Sequence, residues 1–249
     1  LFERYAALDL PPSPQHGADE WPDHPAIAYF RHFFTLNEPL AEETWQRVAA
    51  AYYGVCTYLD TQIGRVLDEL AATGLIDNTR VVYTADHGEA LGARGLSGKF
   101  TLYDESASVP LIVAGPDVPR GKTVTTPVSL VDMYPTILEA AGVPLLPSEH
   151  DLPGQSLWFL AASADAERTV FAEYHALGSH AGSYMLRDQR FKYIYYVDGP
   201  PQFFDLSVDP AERNNLATSA DHQLVLARMD ARLRSLLDPE AVDAQAKQD

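Results

Sequence analysis

The residues best equipped for chemistry lie in one stretch, Thr84-Ala85-Asp86-His87-Gly88-Glu89-Ala90-Leu91-Gly92-Ala93-Arg94-Gly95-Leu96-Ser97-Gly98-Lys99. Asp86 and His87 place a carboxylate and an imidazole side by side, and both can reach one divalent cation. They follow a β-branched run, so they fall at a strand's C-terminal edge, where open α/β sheets bind ligands. Four glycines within eleven residues, Gly88 to Gly98, allow the backbone to approach a small charged group. Lys99, thirteen residues after Asp86, adds a positive point charge. An anion held between a metal and that lysine would be neutralised from two sides. On spacing alone, Asp-His-Gly is equally a strand-to-loop turn and Lys99 a solvated lysine, so both readings stay open.

The elements that must position these groups are legible around them. Residues 1–40 carry Pro11, Pro12, Pro14, Pro22, Pro25 and Pro39 and read as an irregular cover pinned by aromatics. Trp45, Val48, Tyr52, Val55, Leu59, Ile63, Val66 and Leu70 recur at steps of three and four. That periodicity predicts a long helix with a sustained apolar face, started at Glu42 or Thr44 and stopped by Gly74. Arg80–Ala85 reads as a strand of the buried parallel type, and Val109–Ala114 as another closed by Gly115-Pro116. Ser129–Ala141 reads as a helix with a kink or restart at Pro135. After about residue 160 the segments Val170–His175, Ser183–Arg187, Phe191–Val197 and Gln202–Leu206 suggest a small antiparallel sheet. A last amphipathic helix carries Leu224, Leu226, Met229, Leu233, Leu236 and Leu237, followed by a polar tail expected to fray from Asp238. The expected organisation is an α/β core over 1–160 and a small α+β region over 161–249.

Composition narrows the function. The 249 residues carry 18 Lys+Arg against 35 Asp+Glu, a net charge of −17, which argues against binding nucleic-acid phosphates. No apolar run reaches the ~20 residues of a membrane span. The single cysteine, Cys56, excludes an internal disulfide and a multi-cysteine zinc site, and fits a reducing compartment. Cys56 lies on the apolar helix and reads as a small buried hydrophobe. The chain begins at Leu1 without a basic or apolar leader and reads as the continuation of something.

Taken together, several ordered blocks resemble the sulfatases, sulfate-ester hydrolases of the alkaline-phosphatase superfamily. Thr84–Glu89 with Leu91–Leu96 and Lys99 is similar to the family's metal-binding block. Tyr53–Leu67, Val109–Ile112 and Asp132–Thr136 resemble the elements around it. Phe204-Asp205-Leu206, Asp209-Pro210, Glu212 and Asn215-Leu216 resemble its C-terminal signature. The resemblance implies an alkaline-phosphatase-like sheet flanked by helices, Asp86 and His87 as ligands of a divalent metal (calcium first, manganese as the alternative), and Lys99 on the sulfate oxygens. It implies that His175 touches substrate or protonates the leaving group; a structural role for His175 is the competing reading. Arg94 stands where many relatives have a histidine and is expected to face solvent. The formylglycine nucleophile and the paired aspartates of the family have no counterpart here, so the chain resembles a C-terminal portion whose partner is the missing N-terminal half. The Asp-His form is similar to choline-sulfatase-like and phosphonate-monoesterase-like branches. A sulfate ester is therefore the expected substrate and a phosphonate monoester or phosphodiester the alternative; a non-catalytic chain and a homo-oligomer stay open.

Overall fold

A computed structural model describes residues 1–163 and 168–248, and the chain divides into two compact units, Leu1–Lys122 and Thr123–Asp249. Among the described residues no helix is long and apolar enough to cross a membrane.

In the first unit, α1 (Phe2–Ala6) and α2 (Pro25–Phe33) punctuate the proline-rich opening, and α3 spans Glu42–Ala72 as the periodicity predicts. The small residue Gly54 lets the backbone of Leu1 and Phe2 lie against α3, and Tyr5 seals the contact by a 2.6 Å hydrogen bond to Thr57 and a stack on Tyr53. Trp45, Ala49 and Ala50 are buried with Leu10, whose backbone N–H and C=O are both bonded by the Gln46 side chain. The expected apolar face is covered only along this first half. Val55 and Val66 are 64% and 61% exposed, and Cys56 is exposed rather than buried. The periodicity identified the helix correctly; burial also requires a neighbour, and among the described residues none covers the second half.

Next in order come β1 (Val81–Thr84), α4 (Asp104–Ala107) and β2 (Leu111–Ala114). β1 and β2 pair antiparallel, Val81 opposite Ala114 and Thr84 opposite Leu111. The buried parallel strand expected at Arg80–Ala85 is thus corrected: the connection leaves and returns at the same end of the pair, and Tyr83 and Ile112 reach solvent.

The second unit holds α5 (Met133–Ala140), α6 (Leu157–Ala162), the meander β3 (Val170–Tyr174), β4 (Ser183–Arg187), β5 (Phe191–Tyr196) and β6 (Gln202–Asp205), then α7 (Gln223–Leu236) and α8 (Pro239–Ala246). The four expected strands form one antiparallel sheet in sequence order. α7 lays Met229 and Leu233 on Tyr184, Leu186, Tyr193 and Phe203, while Leu224 points to solvent. Pro135 sits in the first turn of α5, directly after a turn over Leu130–Asp132, so it marks a restart. The tail expected to fray is instead helical: Asp238 caps α8 by accepting from the Ala241 amide.

The change of texture near residue 160 lies well after the observed division at 122/123. A buried carboxylate accounts for this. Asp132 accepts from the amides of Ser129 (2.7 Å) and Gln155 (2.9 Å), and Arg168 Nη2 donates to both of its oxygens (2.8 and 3.0 Å), so Ser129, Gln155 and Arg168, just before the sheet, are tied together. Thr126 adds a bond to the Ser163 carbonyl.

The C-terminal signature residues turn out to be scaffolding. Asp205 accepts from Arg190 Nε and Nη2 (3.0 and 2.6 Å) and from Ser207; Asn215 accepts from the amides of Phe203 and Ala217; Glu212 pairs with Lys192 at 2.6 Å. The Arg190 guanidinium, helped by Ser207, holds the Asp205 carboxyl down at about 2. Its folded value lies below the unfolded one, so it stabilises the fold above about pH 4 and that contribution is lost as pH falls through 2. Urea titrations between pH 4 and 2 should show a shallower loss of stability for Asp205→Asn than for the wild type. Part of the slope persists in the variant, because Arg234 and Tyr195 hold Glu240 at about 2 as well.

Candidate active site

β1 delivers its C-terminal end to Asp86 and His87, and main-chain hydrogen bonds wind much of the loop that follows. Gly88 N–H donates to the Ser106 carbonyl (2.8 Å), Ala90 N–H to the Gly98 carbonyl (2.8 Å) and Gly92 N–H to the Leu96 carbonyl (2.8 Å). Leu91, Gly92, Arg94, Gly95 and Gly98 all adopt left-handed backbone, which winds the loop tightly. Gly88 is demanded by a close approach: a Cβ there would overlap the Glu105 carbonyl. The loop is anchored to α3 by Trp45 Nε1–H donating to the Leu91 carbonyl (3.2 Å), and to the opening segment by the Ser13 hydroxyl donating to the same carbonyl.

Arg94 is a correction. It is buried, its guanidinium pairs with Glu105 and lies 3.8 Å from the Tyr103 ring centroid. Its backbone N–H donates to the Pro14 carbonyl, and its carbonyl accepts from Arg31. A buried charge is tolerated only when paired, and a planar guanidinium on an aromatic face beside a carboxylate meets that condition. Arg94 therefore braces the loop from beneath.

Asp86, His87 and Lys99 come together. The Asp86 side chain is 87% exposed; one oxygen accepts from the His87 amide (3.1 Å) and the other lies 3.4 Å from His87 Nε2. His87 Nδ1 faces the Gly88 carbonyl at 2.9 Å, so Nδ1–H donates there and Nε2 is the ring nitrogen turned to Asp86 and Lys99. The Lys99 ammonium contacts that Nε2. A cation is thus already accommodated beside a carboxylate and an imidazole, the donor types a divalent ion accepts. The two residues make only part of a shell: among the described residues no group of three His, Cys, Asp or Glu could hold a metal ion.

Two residues that hold this loop, Glu89 within it and Glu105 in α4, carried no role in the sequence reading. Glu89 Oε1 accepts from the amides of Leu91 (3.1 Å) and Gly98 (2.6 Å). Its place beside Asp-His-Gly was visible, but its partner nine residues on was not. Glu105, partner of Arg94, had no local signal at all.

His175 belongs to the second unit. It follows β3, with Nε2 3.3 Å from Glu173, the ring edge-on to Tyr184, and Gly182 close beneath. Burial first, then the charges of Glu173 and Asp243, raise the Tyr184 phenol well above its ordinary value. Tyr184 donates to the Pro239 carbonyl, and Asp243 accepts from Gly182 N–H, so His175 sits in a packed corner that holds α8.

The chain is similar to known proteins over most of its length. The sulfatase family model matches residues 14–143, and a model described as N-sulphoglucosamine sulphohydrolase, C-terminal, matches 92–238. The chain belongs to the sulfatase family. Arylsulfatase K of Xenopus laevis is 35% identical over 89% of this chain and 43% of its own length. The sulfatase therefore spans less than half the length of the curated relatives it matches. Among solved structures, a phosphonate monoester hydrolase from Silicibacter pomeroyi superposes with a TM-score of 0.77 at 33% identity, covering 92% of this chain and 50% of that one. A 2-O GAG sulfatase gives 0.74 at 26% identity, over 94% and 55%. The family implies a divalent metal, and the alkaline-phosphatase-like class that the resemblance implied stands.

Proposed function

We propose that the complete protein hydrolyses sulfate esters, with this chain supplying part of the metal shell and the anion-neutralising lysine. The observation that carries the reading is the convergence of Asp86, His87 and Lys99 in one tightly wound loop inside the region matched by the sulfatase model. Asp86 and the Nε2 of His87 would hold the metal, calcium in this reading and manganese as the alternative. When bound, that ion supplies positive charge against the ester oxygens. Lys99, beside His87, would offer its ammonium to the sulfate oxygens and offset the charge that builds on them. In this reading the nucleophile belongs to a part of the protein outside these 249 residues. The exposed second half of α3 and the faces of β1 and β2 line a cleft of about 1060 Å³ with Leu59, Ile63 and Ile112, which suits cover by the missing N-terminal half. The part assigned to His175 rests on resemblance.

The test uses the full-length protein, a sulfate ester and a phosphonate monoester, with metal content measured on the same samples. Sulfate-ester turnover is expected, with Asp86→Ala losing bound metal and Lys99→Ala losing roughly 10²–10³-fold in kcat. Turnover of the phosphonate alone, which the Silicibacter likeness would favour, overturns the sulfate reading. Full activity in Asp86→Ala overturns the site.

A further inference from the structure

Lys99 sits in an irregular segment, exposed, on a flexible four-carbon stem, and such a side chain has no intrinsic reason to stay at His87. Something must fix the backbone at Gly98 relative to the turn at Asp86–His87. The main chain contributes one bond, from Ala90 N–H to the Gly98 carbonyl. The other comes from a single side-chain atom: Glu89 Oε1 accepts at once from Gly98 N–H at 2.6 Å and Leu91 N–H at 3.1 Å. Gly98 is thereby gripped by both its N–H and its C=O, one residue before Lys99, from two residues that directly follow His87-Gly88.

We infer that Glu89 is a positioning residue: its carboxylate clasps the start and end of the loop and so delivers Lys99 to the face of His87. Hydrogen bonds from amides to a carboxylate are short and stronger than neutral ones. Leu91 adopts left-handed backbone, and Glu89 takes the N–H that this conformation presents. Glu89 acts through Lys99. It is a separate matter from which ester the enzyme cleaves, although the kinetic readout rests on the hydrolase reading above.

The test compares Glu89→Gln and Glu89→Ala in the full-length protein, with Lys99→Ala and the double variant. Glu89→Gln keeps a carbonyl oxygen able to accept both amides and should stay within about threefold of wild type. Glu89→Ala should lose ~10–100-fold in kcat/KM, since a misplaced charge costs on that scale, with weaker competitive inhibition by inorganic sulfate. In the Lys99→Ala background, Glu89→Ala should cost little more, because the two act as one unit. Amide hydrogen exchange at Leu91 and Gly98 should accelerate in Glu89→Ala and not in Glu89→Gln, a readout independent of turnover. Equal defects in Gln and Ala, full additivity with Lys99→Ala, or unchanged exchange would each overturn the inference. Absent turnover in the wild type with the exchange pattern intact would overturn the hydrolase reading and leave the clasp standing.

Discussion

Replacing Lys192 with methionine should destabilise the Thr123–Asp249 unit by about 3–5 kcal/mol, the usual cost of leaving one member of a buried ion pair alone. Lys192 and Glu212 are both fully buried, 2.6 Å apart, and β5 explains how this arises. Successive strand residues point to opposite faces. Tyr193 faces α7 and the apolar cluster, so Lys192 must face the other way, into the turns after β6 that carry Glu212. Without the ammonium, the Glu212 carboxylate is retained in a site that water does not reach. The double variant Lys192→Met/Glu212→Leu removes both charges and should recover most of the loss, since an apolar pair of similar volume is often as stable as the ionic one. Urea denaturation of all three proteins measures the cycle. A loss under about 1 kcal/mol for Lys192→Met would mean that water reaches the pair.

Gly88→Ala is expected to have the largest effect on the candidate site. The new methyl would occupy the space of the Glu105 carbonyl, and main chain cannot swing aside as a side chain can. Either the Asp86–His87 turn moves away from α4, breaking the bond from Gly88 N–H to Ser106, or α4 moves and takes Glu105 away from buried Arg94. Overpacking of this kind costs about 3 kcal/mol, and a displacement near 1 Å at reacting groups costs ~10²-fold in rate. Thermal unfolding of the variant and sulfate-ester turnover in the full-length protein would show both losses. An active, stable Gly88→Ala protein would mean that the loop tolerates a wider gap to α4.

What could be read from the residues and what could not divide along physical lines. α3 was legible end to end because a period of three and four is a local property of the chain. The meander was legible for the same reason, through alternation and turns. The pairing direction of β1 was not, because β-branched composition speaks of burial and not of which strand lies alongside. Arg94 and Lys192 were opaque for another reason. A buried charge depends on a partner far along the chain, Glu105 and Glu212, and nothing near either residue announces it. Asp86, His87 and Lys99 stood out by type and spacing, whereas Glu89 acquires its role only once the loop closes on Gly98.

The uneven cover on α3 also has a dynamic meaning. Thirty-one residues at 1.5 Å each make a rod about 46 Å long. Among the described residues the fully buried positions of α3 lie toward the end that carries Trp45, and that is the end bonded to Leu91. Opening free energies follow local packing, so in this chain the helix is expected to open more readily toward Ala72 than at its start. Unwinding can begin at the far end and run several turns before it disturbs the loop that presents Asp86 and His87.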